Sequence, residues 1–355
     1  MVMNFSTLKA TNEWPGQEII FCLAVDPNRH RLWFGCSDAA VYYLPLNEEK
    51  AERVNLEGEG HSSYVTGAVL DGQKLITSGY DKKLVWWDTE SGQQIKAITA
   101  HDSWIRRIAL TPDHRVISVG DDMQCRVWDA ANGETLGSFT DHEKMTPHHY
   151  PSMLYALDIS SDGSCIATGD RVGHIAIWNS QTLEKTAELE TPEMYTWDPK
   201  QRRHSIGGIR SLAFSPDKTK LAVGGMGKVG NIDHLDGPSR IEVFDINSGE
   251  RIQMMEDSKN KGLVEQMQWS PDGKQLLSVG GNHKGFISVH EVETGEQSHI
   301  VEHSGHIHAF STDFENQVII TAAHQRLARW SFQNEDPQTQ ETKSLNNGDE
   351  EANNS

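Results

Sequence analysis

The sequence predicts an all-β protein: a seven-bladed propeller of four-stranded antiparallel blades, closed into a ring by its own N-terminal strand. Three observations lead there. The stretch from His61 to His142 carries one pattern twice. His61, Leu75-Ile-Thr-Ser-Gly-Tyr-Asp81 and Leu84-Val-Trp-Trp-Asp88 are followed by His101, Val116-Ile-Ser-Val-Gly-Asp-Asp122 and Cys125-Arg-Val-Trp-Asp129. His61 to His101 is 40 residues, Trp87 to Trp128 is 41, and Asp81 and Asp122 each stand six before their Trp. A period of this size, with Trp-Asp closing one strand, marks a four-stranded blade. The second observation is the turn chemistry. In the first copy Asp71-Gly72, Asp81 and Glu90-Ser-Gly92 separate four short strands, Tyr64–Leu70, Lys74–Ser78, Lys83–Trp87 and Gln94–Thr99. Such a sheet is apolar on both faces, so a single copy cannot bury itself and copies must stack.

The third observation is the count. Third strands end at Val41-Tyr-Tyr-Leu44, Trp87-Asp88, Trp128-Asp129, Trp178-Asn179, Phe244-Asp245, His290-Glu291 and Trp330-Ser331, which gives seven units. The seventh has only three strands before the chain turns polar at Gln333. The segment Asn4–Thr11 is therefore expected as its outer strand, because closure removes two open sheet edges. A flexible leader is the alternative. Residues 1–332 make one domain. The polar, acidic stretch 333–355 has too little apolar surface to offset the cost of ordering and is expected to be disordered.

These residues resemble the WD-repeat β-propeller family, through two well-matched copies and five divergent ones. The resemblance implies a hydrogen-bonded chain of His, Ser or Thr, Asp and Trp inside a blade. Here the matching residues are His61, Thr77, Asp81 and Trp87, then His101, Ser118, Asp122 and Trp128. A His–Asp pair also fits acid–base chemistry, but a buried network whose members satisfy one another explains the indole N–H as well. Units one, four, five, six and seven depart from the pattern, with Leu44, Val172, Pro238, Lys284 and His324 at Trp or Asp positions. The family resemblance also implies ring closure by the N-terminal strand and a scaffold or adaptor role.

Charge narrows the partners. With 32 basic against 51 acidic residues in 355, the net charge is −19, which repels a phosphate backbone and argues against nucleic acid. No apolar stretch approaches the length of a membrane span. Cys22, Cys36, Cys125 and Cys165 form no Cys-x-x-Cys pair, so free thiols in a reducing compartment are expected, with a cytoplasmic location.

Three insertions break the regular spacing: Asp141–Pro151, Thr191–Gly207 and Gly224–Ser239. The first two join fourth to first strands, and the third joins a second to a third strand. In an antiparallel blade both connections emerge at the same end, so all three fall on one rim over blades four and five. Connections of this length inside a domain are usually functional or disordered. The expected partner-binding residues are Tyr150, Tyr195, Trp197, Arg202, Arg203, His204, Asp233 and His234, with the aromatics as anchors and the Arg pair as carboxylate or phosphate ligands. The group His142, His148 and His149 has no accompanying Cys and lies among prolines. The run Asn231-x-Asp233-x-x-Asp236-Gly237 resembles a calcium loop but carries Leu235 at a ligand position. No metal and no cofactor is expected.

The reading is a non-catalytic scaffold, monomeric outside complexes, that binds a protein or peptide partner. Two alternatives stay open. One is a propeller enzyme, a hydrolase or lyase, with a site at the channel mouth, where His142, His204, His234, His283 and His306 can approach; convergence of three His or carboxylate side chains there would favour it. The other is a small-molecule or carboxylate sensor using Arg202 and Arg203.

Overall fold

Second and third strands read as nearly continuous apolar runs because neighbouring blades cover both of their faces. Leu75–Gly79 and Leu84–Trp87 are buried throughout, whereas the outer strand Gln94–Thr99 alternates between half-buried and exposed. The computed structural model describes residues 7–26, 28, 30–48, 50–199, 204–231 and 233–332, with His204 described by its backbone only. The second unit's strands run Val65–Asp71, Lys74–Gly79, Lys83–Asp88 and Gln94–Thr99, within one residue of expectation at every end. Turns repeat as well. Asp88 Oδ1 accepts the Glu90 and Ser91 N–H groups, and Gly92 follows at φ +71.

The core lies between blades rather than within them. Ile76, Leu84 and Trp86 of the second unit pack against Ile105, Val116 and Trp128 of the third. The Trp86 indole donates to the Ala130 carbonyl at 2.8 Å across the same gap. This is the layered burial that a stacked repeat needs.

The blade count differs from the expected seven. Five sheets hold four strands each, and a sixth holds six, because the 19-residue strand Leu8–Asp26 runs unbroken through what the sequence divides into two units. Its first half pairs with the strand Val318–Phe332, Leu8 opposite Phe332 and Pro15 opposite Arg326. Its second half pairs with Arg31–Cys36, Ile20 opposite Cys36 and Asp26 opposite Arg31. The strand Val318–Phe332 itself folds back. Trp330 Nε1 donates to Thr321 Oγ1 at 3.0 Å, although nine extended residues would span about 30 Å. The reversal falls at Gln325, with φ +61. Within this sheet Ile20, Leu32, Phe34 and Leu44 share one core cluster with Ala309, Ile320, Ala322 and Leu327. Residues 4–6 of the segment Asn4–Thr11 and the stretch 333–355 lie outside the described residues.

The fourth unit gives a second correction. It carries the full polar chain, and Val172 is not its aspartate equivalent. Trp178 Nε1 donates to Thr168 Oγ1 at 3.0 Å, while His142 reaches Thr168 Oγ1 at 2.8 Å and Asp170 Oδ2 at 3.0 Å. The same contacts join Trp87, Thr77, His61 and Asp81, and again Trp128, Ser118, His101 and Asp122. Thr168 to Trp178 spans ten residues, as Thr77 to Trp87 does, but Asp170 stands where the second unit has Gly79. A Cβ on Gly79 would come within 3.0 Å of His61 Nδ1, so a side chain from that position reaches the same imidazole.

Candidate functional site at the channel mouth and rim

Each first strand begins, and each second strand ends, at the end of the molecule that also carries the three insertions. There Phe21, Arg106, Arg107, Tyr155, Arg210, Glu265 and His308 line a cavity of about 220 Å³. A second cavity of about 210 Å³ lies among the first strands and is lined in part by Asp158, Arg107 and Gln266.

A row of aromatic rings borders the mouth. Phe21 stacks on Tyr64 at 5.4 Å between centroids, Tyr64 lies 5.6 Å from Tyr80, and Tyr80 stacks on Trp104 at 4.4 Å and 6°. Tyr64 and Trp104 remain 42% and 45% exposed, unusually open for large rings held in order. Arg106 fixes the row. Its guanidinium forks onto Asp121 at 2.8 and 2.7 Å and lies over Tyr80, Trp104 and Tyr155 at 4.9 to 5.2 Å. Arg210 lies 3.6 Å over the Tyr155 ring, and its Nη1 is buried with no hydrogen-bond partner among the described residues. Burial raises the Tyr155 hydroxyl's pKa, but Arg210 and Arg106 outweigh it and hold it below the usual range. Burial in the channel wall pushes Asp158 up to about 7 against the 2.7 Å bond from the Phe214 N–H.

The insertions form an adjoining rim. Thr191–Gly207 is a turn, Pro192–Met194, followed by a hairpin that pairs Tyr195–Asp198 with His204–Gly207. Met194 is fully buried beneath it, and Ile206 packs on the cluster Met226, Val229 and Leu263 from the third insertion and the next unit. The rigid base presents a second aromatic group. Trp197 stacks on His148 at 4.1 Å and 12°, Tyr150 lies 5.4 Å from Trp197, and the Tyr195 hydroxyl is 3.0 Å from His148 Nδ1. Arg171 links rim to mouth by donating to the Ser205 carbonyl at 2.8 Å and approaching Met153 Sδ at 4.0 Å.

Of the residues expected from the sequence, Tyr150, Tyr195 and Trp197 come together, joined by His148. Asp233 and His234 are exposed on the third insertion. Arg202 and Arg203 lie outside the described residues, as does the side chain of His204. His142 belongs to the fourth unit's internal network and not to a group with His148 and His149. The sequence reading missed the mouth: Tyr64, Tyr80, Trp104, Arg106, Tyr155 and Arg210. Their only sequence signal is recurrence at one place in each unit, just before or just inside the first strand or at the end of the second.

A further group completes the mouth. One ligand atom each of Glu265, His306 and His308 lies within 4.8 Å of the others. Of these only His306 was among the histidines expected near this end. Burial raises the Glu265 carboxyl, but the bond from His306 and the charges of His306, His308 and Arg210 more than offset it and hold it well below the usual range. Burial pushes His308 down to about 3.

Comparison with known proteins agrees with this architecture. A family profile described as "WD domain, G-beta repeat" matches residues 54–88 and 92–129, the second and third units. The chain carries WD repeats on a β-propeller. Protein hir-1 of Neurospora crassa is 29% identical over 186 residues, 50% of this chain and 17% of the relative. Apoptotic protease-activating factor 1 of Homo sapiens is 24% identical over 311 residues, 85% of this chain and 22% of the relative. Nuclear distribution protein PAC1 of Coccidioides posadasii is 33% identical over 165 residues, 40% of this chain and 35% of the relative. The chain thus spans about a sixth to a third of the length of these relatives.

Proposed function

We propose that this chain is a non-catalytic interaction platform that docks a protein or peptide segment across the channel mouth and the rim of the fourth and fifth units. The ordered row of Tyr64, Tyr80 and Trp104, exposed at Tyr64 and Trp104 and clamped by Arg106, carries this reading. Aromatic and Arg side chains are the types that anchor interfaces, and rigid ones lose little entropy on binding. The group of Trp197, Tyr150 and Tyr195 extends the surface, and Arg202 and Arg203 are the proposed ligands of a carboxylate or phosphate on the partner, with His204 a further proposed contact. The relatives have names as different as a protease-activating factor and a nuclear distribution protein. They support a shared platform and no single pathway. In this reading the partner is neither nucleic acid nor membrane, the chain is monomeric outside its complex, and the free cysteines fit a cytoplasmic location.

The same proposal treats the six-stranded sheet as two blades sharing the strand Leu8–Asp26, which makes a seven-bladed ring closed by its N-terminal arm. The fold-back at Gln325 and the shared core cluster of Phe34 and Leu44 with Ile320 and Leu327 support it.

The test is quantitative binding of the captured partner. Trp197→Ala and Trp104→Ala should each raise Kd more than tenfold, about 1.4 kcal/mol, with unchanged melting. Arg203→Ala should weaken binding and flatten its salt dependence. Asp272→Lys, on the short turn at the opposite end, should have no effect. If Asp272→Lys abolished binding while a Tyr150/Tyr195/Trp197/Trp104 alanine variant kept it, the site would lie on the other face.

The enzyme reading has one observation in its favour, the convergence of Glu265, His306 and His308. Turnover of a carbonyl or glycosidic substrate that is lost in His308→Ala would establish it.

A further inference from the structure

We propose that Glu265, His306 and His308 form a binding site for a divalent transition-metal ion of the zinc class, with an open coordination position facing the channel-mouth cavity. The three ligand atoms lie within 4.8 Å of one another, and His306 Nε2 lies 3.2 Å from Glu265 Oε1, near the separation of about 3.3 Å expected for two donors of a tetrahedral zinc at 2.0–2.1 Å.

The hydrogen bonds around His306 define its available donor. Its Nδ1 lies 3.3 Å from the Asn282 carbonyl, which can only accept, so Nδ1 carries a hydrogen. That leaves Nε2 facing Glu265 Oε1 at 3.2 Å. Two lone pairs at this distance repel unless a cation lies between them, either a proton or a metal ion. A ring N–H donated to a backbone carbonyl is also the usual outer support of a metal-bound histidine.

His308 supplies the second, independent observation. Its Nε2 is buried with no hydrogen-bond partner among the described residues, an arrangement that costs free energy unless something fills it. Its ring lies 4.4 Å from that of His306 and 5.0 Å from that of His324, so three imidazoles crowd one corner of the mouth.

The donor set selects the ion. Two imidazoles and one carboxylate suit zinc, cobalt or copper, while calcium and magnesium demand oxygen ligands. Three protein ligands leave a fourth position. Glu265 and His308 both line the cavity of about 220 Å³, so that position opens toward it. The site is distinct from the group His142, His148 and His149, and it stands whether or not a partner docks on the rim.

The test uses the full chain stripped with a chelator and titrated with Zn²⁺ alone by calorimetry, then with Co²⁺ followed by visible absorption. One equivalent should bind, with the d–d bands of a four- or five-coordinate Co²⁺ site. His306→Ala, His308→Ala and Glu265→Gln should each weaken binding more than about tenfold. His283→Ala, an exposed histidine on the same end, should not. Far-UV circular dichroism and melting of each apo variant separate loss of the site from loss of the fold. Should both His variants misfold, Glu265→Gln carries the comparison, since it keeps the shape and an acceptor for His306. Binding well below one equivalent by the parent chain, or one-equivalent binding that survives in folded variants, overturns the proposal.

Discussion

At Trp87, Trp128 and Trp178 a single buried hydroxyl accepts the indole N–H, and a histidine tied to an aspartate occupies the far side of that hydroxyl. Removing the indole both empties a large volume and takes one hydrogen bond from the Thr or Ser hydroxyl. Trp178→Ala should therefore cost about 3–5 kcal/mol in urea melts, as Trp87→Ala and Trp128→Ala should. A loss under about 1 kcal/mol at Trp178 would show that the fourth unit's network does not hold its blade. Acid acts on the same groups. Burial raises the Asp81 and Asp122 carboxyls, but the bonds and charges of His61 and His101 outweigh it, so both sit below the usual range. A depressed carboxylate contributes stability that is present above its unfolded pKa of about 4 and is lost as pH falls through the folded value. Asp122→Asn should accordingly lower stability at neutral pH and flatten its decline below about pH 4, as read from urea midpoints across pH. The hydroxyl-to-Trp spacing of ten residues was legible at Thr168 and Trp178. The aspartate was not, because the network needs a carboxylate beside the imidazole and two backbone positions can deliver one.

At the scale of elements, the second unit's strands could be read to within a residue because turn chemistry and two-sided burial both mark them. The rim was legible as three long insertions, and Tyr150, Tyr195 and Trp197 meet there. The mouth was not legible, since it draws one to three residues from each unit and only the stacking of neighbouring units brings Tyr80 against Trp104 or His308 near Glu265. Asp158 belongs to this hidden set. It lies on the strand Leu154–Ile159, faces the channel wall, and titrates near 7 because burial disfavours its charge. For a carboxyl raised above its unfolded pKa, stability is full below about pH 4 and is lost as pH rises through about 7. Asp158→Asn retains an acceptor for the Phe214 N–H and has no charge to bury. It should be more stable than the parent at pH 8 and should lose that advantage at pH 4.5, by urea midpoints at the two pH values. Equal midpoints at pH 8 would mean that channel water already solvates the Asp158 carboxylate.

For the whole molecule the decisive contact joins the two ends of the described chain. Leu8–Pro15 pairs along Arg326–Phe332, and Leu8 enters a core cluster with Trp330, Ile307 and Phe310. The sequence indicated this contact only indirectly, through a last unit short of one strand, and it did not foresee that one continuous strand would fuse the first and last units. If that strand closes the ring, removal of its first residues exposes the edge at Trp330–Phe332 and uncovers Trp330. An open, apolar edge pairs with other chains. Deleting residues 1–11 should therefore lower the melting temperature and produce concentration-dependent association by light scattering, whereas deleting residues 336–355 should change neither. Replacing Leu8 by Asp, which puts a charge into the same cluster without shortening the chain, should reproduce the loss of stability with weaker association, because the backbone pairing survives. A deletion of 1–11 that melts like the parent and stays monomeric would leave the ring held by the packing of Ile20 and Phe34 on Ile320 alone, and the N-terminal arm would be an ornament on an already closed structure.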